Sequence, residues 1–436
     1  MKTPICDFVE NYAEKDVLRL HMPGHKGKGA LERKDITEIV GADVLYQSSS
    51  IIAQSQQNAA ELFDTAKTLF SCEGSSLSIR AMLYLVRLYA GETARILAGR
   101  NAHKTFVSAA ALLGIEVDWL QGEGLLCCSV TAERLRQTII AQKPSAVYLT
   151  SPDYLGNRLD IKALGEVCKE QGVLLLVDNA HGAYLQFLEQ SEHPIALGAD
   201  LCCDSAHKTL PVLTGGGYLH ISKSAPEWLC EQAEKAMALF ASTSPSYLIL
   251  QSLDKANAHL ADGYAERLAE FAKKKQNLCT SLAEQGIKTV GNEPLKLTLA
   301  PKSYGYEGTS LAEYFRENGV EPEYADPDYT VLMFTPEQAE ALVGVQELLS
   351  CLPRLSPIDI MPPKMAAPTK VLGMKEALFA PSKKVAVEKC EGRVLGALSV
   401  SCPPAVSAVV CGERIEKDAI QVMKYYDITE CDIIEQ

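Results

Sequence analysis

ValLeuLeuLeuValAspAsnAlaHisGly, residues 173–182, joins an unbroken apolar run to a carboxylate and an imidazole. Five consecutive apolar residues make a strand that is buried on both faces, as a parallel sheet covered by helices requires. The strand ends on Asp178, so a carboxylate arrives at the carboxyl edge of the sheet, where ligands of open α/β folds collect. Upstream of it, strands are expected at 94–98, 115–120 and 145–150, alternating with helices at 105–113, 131–142 and 160–171. This alternation predicts an α/β chain with a mostly parallel sheet. Further upstream, Ala59, Leu62, Phe63, Ala66, Leu69 and Phe70 recur at helical spacing, and CysGluGlySerSer at 72–76 separates them from a second, buried helix over 77–89.

Downstream, a long polar and alanine-rich helix over 256–290 reads as a connector. The strands 296–300 and 329–334 and the helices 309–318 and 336–350 make a small α/β unit. A proline-rich junction at 357–363 leads to a last module with short strands and the turn CysProPro at 402–404. Three domains are therefore expected: a large one over 1–255, a small α/β one over 256–360 and an α+β module over 361–436.

Composition limits the partners. A chain of 436 residues with 47% hydrophobic and 22% charged content buries an extensive core. Its net charge of −13 disfavours nucleic acid and anionic membranes. The start MKTPICDFVE has no apolar h-region and no apolar run is long enough to span a bilayer, which places the chain in the cytoplasm as a soluble protein. The fourteen cysteines include the pairs Cys127/Cys128 and Cys202/Cys203 in apolar stretches and show no metal-ligand spacing, so they read as reduced core thiols and no metal is expected.

Two segments carry the chemistry. Asp178 at its strand end needs a cationic partner. AspSerAlaHisLysThrLeu at 204–210 follows another apolar strand and presents Lys208 between His207 and Thr209. The pair suits pyridoxal 5′-phosphate (PLP): Lys208 joins the cofactor aldehyde as a Schiff base once burial or a neighbouring cation lowers its pKa. Asp178 keeps the pyridine nitrogen protonated, so that the ring is an electron sink. Gly74, Ser75 and Ser76 stand before a helix whose free amides form a phosphate cradle, and Ser205 is a further phosphate hydroxyl. His103 follows a strand and precedes a helix, which places an imidazole at the same edge to stack on the ring. Taken singly, each residue has a plain structural alternative: a cap, a surface charge, a glycine turn or a core histidine. The two strand-end motifs together argue against it.

These motifs resemble the Orn/Lys/Arg decarboxylase family, PLP enzymes of fold type I, in its short form without an N-terminal regulatory domain. The resemblance rests on LeuHisMetProGlyHisLysGlyLys at 20–28, AspIleThrGlu at 35–38, IleIleAlaGlnSerGln at 51–56, ArgAsnAlaHisLysThr at 100–105 and ThrSerProAspTyrLeuGly at 150–156. It continues through ValAspAsnAlaHisGlyAla at 177–183, SerAlaHisLysThrLeuProValLeuThrGly at 205–215, SerThrSerProSerTyr at 242–247 and CysProProAlaValSerAlaValValCysGlyGlu at 402–413. It implies a fold-type I, aminotransferase-like large domain, decarboxylation of arginine, lysine or ornithine, and at least a homodimer. It implies that His103 stacks on PLP, that His181 belongs to the cofactor loops and that Lys208 or His207 returns a proton to the substrate's α-carbon. Thr150 becomes a candidate substrate contact, and Glu413 a candidate for the substrate's distal cation. Where the family usually reads Asp-Glu-Ala-His-Gly-Ala-His, this chain has Asn179 and Tyr184. Glu73, Ser78, Ile79, Gly215, Ala405, Ser407 and Cys411 are further departures. Another fold-type I activity and a non-catalytic PLP-binding regulator are the competing readings.

Overall fold

The structure is a computed structural model that describes residues 1–15, 17–120, 128–400 and 406–435. The chain forms two compact units, one from Met1–Tyr89 and Ile161–Glu266, the other from Ala90–Asp160 and Arg267 onward. This division cuts across the expected boundaries at 255 and 360, because residues 90–160 group with the C-terminal half.

The first unit holds the strands Lys67–Ser71, Gly217–Ile221, Leu201–Asp204 and Leu174–Asp178, side by side in that order. Leu174–Asp178 and Leu201–Asp204 are parallel and buried at every residue, as their apolar runs predict. Gly217–Ile221 runs against both of its neighbours. The helix Gly74–Ala90 buries Leu77, Ile79, Met82, Leu83, Leu85 and Val86. One expectation fails nearby. The helix read through Phe70 is Ile51–Leu62, and Leu69 and Phe70 lie in the strand Lys67–Ser71. Asp64 breaks the helix with a left-handed φ of 52°, and pairing of Leu69 with Leu219 and Phe70 with Tyr218 fixes the strand. Two adjacent apolar residues, Leu69 and Phe70, fit both periods, and here the sheet partner decides. The polar opening segment also folds, as the helix Pro4–Glu14, whose Ile5 and Cys6 amides each donate to Asp254 Oδ2 at 3.0 Å.

In the second unit the strands Ala146–Thr150, Arg95–Gly99 and Glu116–Leu120 are parallel, with Arg95–Gly99 in the middle. The helix Lys104–Leu113 stops at Gly114, whose φ of 64° caps it. A separate antiparallel sheet, Tyr324–Ala325, Thr330–Met333, Lys296–Leu299 and Thr289–Val290, and the helices Gly308–Glu317 and Ala341–Cys351 form the small α/β region. The C-terminal region pairs Ser382–Ala386 with Glu430–Ile434 and packs Lys417–Tyr425 on a core of Leu395, Val409, Ile415, Val422, Met423 and Ile433. The expected turn at 402–404 lies outside the described residues, as does Cys127.

The connector read as one helix over 256–290 is two, Tyr247–Leu260 and Tyr264–Glu284, separated at Gly263 with φ 65°. No described helix is long and apolar enough to cross a membrane. Every described cysteine carries a free thiol, and burial raises the pKa of Cys202 and Cys203.

Candidate active site

Lys67–Ser71, Leu174–Asp178 and Leu201–Asp204 point the same way, so the loops that follow Ser71, Asp178 and Asp204 emerge at one edge of the first unit. Those loops carry Gly74, Ser75 and Ser76; His181; and Ser205, His207 and Lys208. The structure joins them by direct bonds. Ser205 Oγ donates to Ser75 Oγ at 2.8 Å, across 130 residues of sequence. Lys208 Nζ and His181 Nε2 are 3.1 Å apart. His207 Nδ1 donates to the Gly216 carbonyl at 2.8 Å, which fixes its tautomer with Nε2 as the acceptor.

Asp178 is buried, and its Oδ1 accepts the Ala180 amide at 3.2 Å and the Cys203 thiol at 3.6 Å. Lys208 differs from expectation. It is exposed in the single chain instead of buried, because it sits on the four-residue helix Ala206–Thr209 at the very edge of the sheet.

Glycines shape the cradle. The Gly74 amide donates to the Gly215 carbonyl at 2.6 Å, drawing the start of the helix Gly74–Ala90 against the loop after Lys208. A Cβ on Gly217 would meet the Asp204 carbonyl at 2.7 Å, Gly74 C at 3.1 Å and Ser75 N at 3.3 Å. Gly215, at φ 99°, takes a left-handed conformation, and a Cβ there would meet the Cys72 carbonyl at 2.9 Å. Glu73 Oε1 accepts the Ser242 amide at 2.7 Å, tying the loop to the 242–247 segment.

The donor set fits PLP. A helix N-terminus with Ser75, Ser76 and Ser205 suits a phosphate, a buried carboxylate at Asp178 suits a pyridinium, and the amine of Lys208 suits an aldehyde. Beside Lys208, Thr209 Oγ1 is buried without a hydrogen-bond partner among the described residues.

Behind this edge lies a buried network that the sequence did not announce. Asp204 Oδ2 accepts from His193 Nε2 and His220 Nε2, each at 3.1 Å, and Asp204 Oδ1 accepts from Asn179 Nδ2 at 2.7 Å. The Ile195 amide donates to His193 Nδ1 at 3.4 Å, and His220 Nδ1 bonds Thr68 Oγ1 at 2.8 Å. Burial acts to raise the pKa of Asp204, but the two histidines outweigh it and hold the carboxylate below its usual range. Burial lowers the pKa of His220. Donors on three sides keep Asp204 ionised. His193, Asp204 and His220 are also a metal-type grouping, yet hydrogen bonds already engage both nitrogens of each ring. The available sequence signals were single polar residues in apolar surroundings: Asp204 closing one strand, and His220 inside GlyTyrLeuHisIle.

The remaining predicted residues lie in the second unit. His103 is exposed and caps the helix Lys104–Leu113, its Nδ1 3.3 Å from the Thr105 amide and 3.0 Å from Thr105 Oγ1. Thr150 ends the strand Ala146–Thr150, and its Oγ1 is buried with no hydrogen-bond partner among the described residues. Glu413 departs from the role expected of it. Both of its oxygens are taken by Arg100, at 2.6 Å each, and Oε2 also accepts the Val410 amide at 2.8 Å. Arg100 further donates to the carbonyls of Ser407 and Ala408, each at 3.2 Å, and lies 5.1 Å from the Trp119 ring. A bidentate, buried arginine leaves this carboxylate little capacity for a substrate cation.

Comparison with known proteins bears on the whole chain. Residues 3–287 match the sequence profile of the Orn/Lys/Arg decarboxylase major domain. An arginine decarboxylase of Halalkalibacterium halodurans is 27% identical over 97% of this chain and 93% of its own, and one of Bacillus subtilis is 27% identical over 96% and 92%. Among solved structures, the Francisella novicida lysine decarboxylase LdcF superposes with a TM-score of 0.80 at 15% identity, covering 99% of this chain and 81% of that one. The alanine–glyoxylate aminotransferase of Nostoc gives 0.55 at 18% identity, over 71% and 88%. The fold is that of fold-type I PLP enzymes.

Proposed function

The chain belongs to the Orn/Lys/Arg decarboxylase family, and from that premise we propose that it is a PLP-dependent decarboxylase that converts arginine to agmatine. The observation that carries the reading is the meeting of Lys208, His181, Ser205 and Ser75 at the strand edge that ends in Asp178. Arginine is favoured over lysine and ornithine because the curated relatives that match nearly the full chain include several arginine decarboxylases.

Bound at this edge, PLP supplies a conjugated electron sink for the bond between the substrate's α-carbon and its carboxylate. Asp178 holds the proton on the pyridine nitrogen that makes the sink effective. Ser75, Ser76 and Ser205 and the first amides of the helix Gly74–Ala90 bind the phosphate and fix the ring's position. Lys208 Nζ is the covalent anchor. Once carbon dioxide has left, Lys208 Nζ delivers a proton to the α-carbon, with His181 Nε2 beside it to share the charge. His207, oriented by Gly216, is the second proton carrier at the same edge.

A homodimer completes the assignment. The segment 17–44 leaves Leu18, Leu20, Met22, Leu31 and Val40 exposed, apolar side chains that a second copy would cover. The free thiols suit the reducing cytoplasm.

Purified protein incubated with PLP and, separately, arginine, lysine and ornithine should release carbon dioxide and give agmatine from arginine. Cadaverine or putrescine instead would move the substrate, and keto-acid formation would make the enzyme an aminotransferase. PLP binding without turnover of any of the twenty amino acids would favour a regulator.

A further inference from the structure

Asn179, which follows Asp178 at the strand end, is tied to a buried acid one strand away. Asn179 Nδ2 donates to Asp204 Oδ1 at 2.7 Å, so the two side chains form one amide–carboxylate pair with the acid on the neighbouring strand. We infer that Asp204 is a positioning residue for the PLP site, holding through Asn179 the chain that presents Asp178. The inference rests on the PLP assignment of the preceding section.

Several features connect this carboxylate to the site from the opposite face of the sheet. Asp178 is in register with Cys203, the residue before Asp204. The adjacent thiols divide between the acids, Cys203 Sγ toward Asp178 Oδ1 at 3.6 Å and Cys202 Sγ toward Asp204 Oδ1 at 3.7 Å. Asn179 follows Asp178 directly, its own amide donating to the Cys203 carbonyl at 2.9 Å. Fixing the Asn179 side chain therefore fixes the backbone that presents Asp178. Lys208 follows Asp204 by one turn of chain and shares the same framework.

The groups facing Asp204 are His193, His220, Asn179 and Cys202 by direct contact, with Cys203 and Tyr218 also in its electrostatic surroundings. The network is fully buried, so its charge is poorly screened. A second fixed anion behind Asp178 favours a proton on the ring nitrogen.

The test uses three variants of the full chain loaded with PLP. Asp204→Asn deletes the charge. Asn179→Asp combined with Asp204→Asn moves it to position 179 while keeping a donor and an acceptor at the 179–204 contact and at both histidines, since an asparagine oxygen at 204 still accepts from them. Asn179→Ala cuts the pair without touching the histidines. The readouts are the PLP dissociation constant and the pH dependence of the visible absorbance of bound PLP. Asp204→Asn should weaken PLP binding about tenfold and shift the absorbance–pH curve, Asn179→Ala should do the same to a smaller degree, and the double variant should recover the wild-type curve. If Asp204→Asn does not fold, the Asn179→Ala result decides alone. Wild-type protein that binds PLP while Asp204→Asn, or Asn179→Ala in its place, keeps an unchanged curve and affinity would overturn this inference alone, as would a shift that the double variant fails to reverse. Wild-type protein that takes up no PLP would instead overturn the proposed function.

Discussion

Asp204 and Glu413 are both buried carboxylates that end up within a few residues of a predicted site segment, and they are satisfied in opposite ways. Glu413 is neutralised by a dedicated cation, with Arg100 meeting both oxygens at 2.6 Å. Asp204 is held by N–H donors from His193, His220 and Asn179. A carboxylate closed off by a bidentate arginine holds two segments together, here residues 407–413 and the loop that leads to His103. A carboxylate held by imidazole and amide N–H groups has no guanidinium closing it off, and its field extends toward whatever binds next to it. The difference separates a clamp from a tuning group, although both residues read alike in the sequence.

Four substitutions test this contrast. The largest effect is expected at the chemistry itself: Lys208→Ala should lower kcat by at least about a thousandfold, measured as carbon dioxide release, because it removes both the anchor and the proton donor. Glu413→Ala should come next, but in stability. Leaving Arg100 buried without its partner costs about 3–5 kcal/mol, read as a lowered urea midpoint. A raised KM for arginine with unchanged stability would instead return Glu413 to substrate binding and erase the comparison. Gly217→Ala should cost about 1–3 kcal/mol by driving a Cβ against the Asp204 carbonyl and the Gly74–Ser75 backbone, and should weaken PLP binding in equilibrium dialysis. The smallest effect belongs to Ser205→Ala, which removes the bond to Ser75 and should cost about 1 kcal/mol of PLP binding.

Much of the frame was legible because it depends on local pattern. The unbroken apolar runs before Asp178 and Asp204 could only be buried strands, and the residues that follow strands of a parallel sheet share an edge. Gly114 and the apolar positions of Gly74–Ala90 likewise carry their own explanation. What escaped depends on partners far away in sequence. Leu69 and Phe70 fit a helical period until pairing with Gly217–Ile221 claims them. Gly263 divides a connector whose composition favours helix throughout. The burial expected of Lys208 failed because a position at the end of a strand says nothing about how far the edge is covered. His193 and His220 gave no motif, since their role exists only once Asp204 lies between them. Glu413 looked free for a cation because Arg100, 313 residues away, is invisible from its neighbourhood.

The anchor at position 208 can be read directly. Protein loaded with PLP, reduced with borohydride, digested and mapped by mass spectrometry should carry the pyridoxyl phosphate mass on the peptide containing Lys208, and the Lys208→Ala protein should carry none. The label on a different lysine, or no label on protein that still releases carbon dioxide from arginine, would contradict the account.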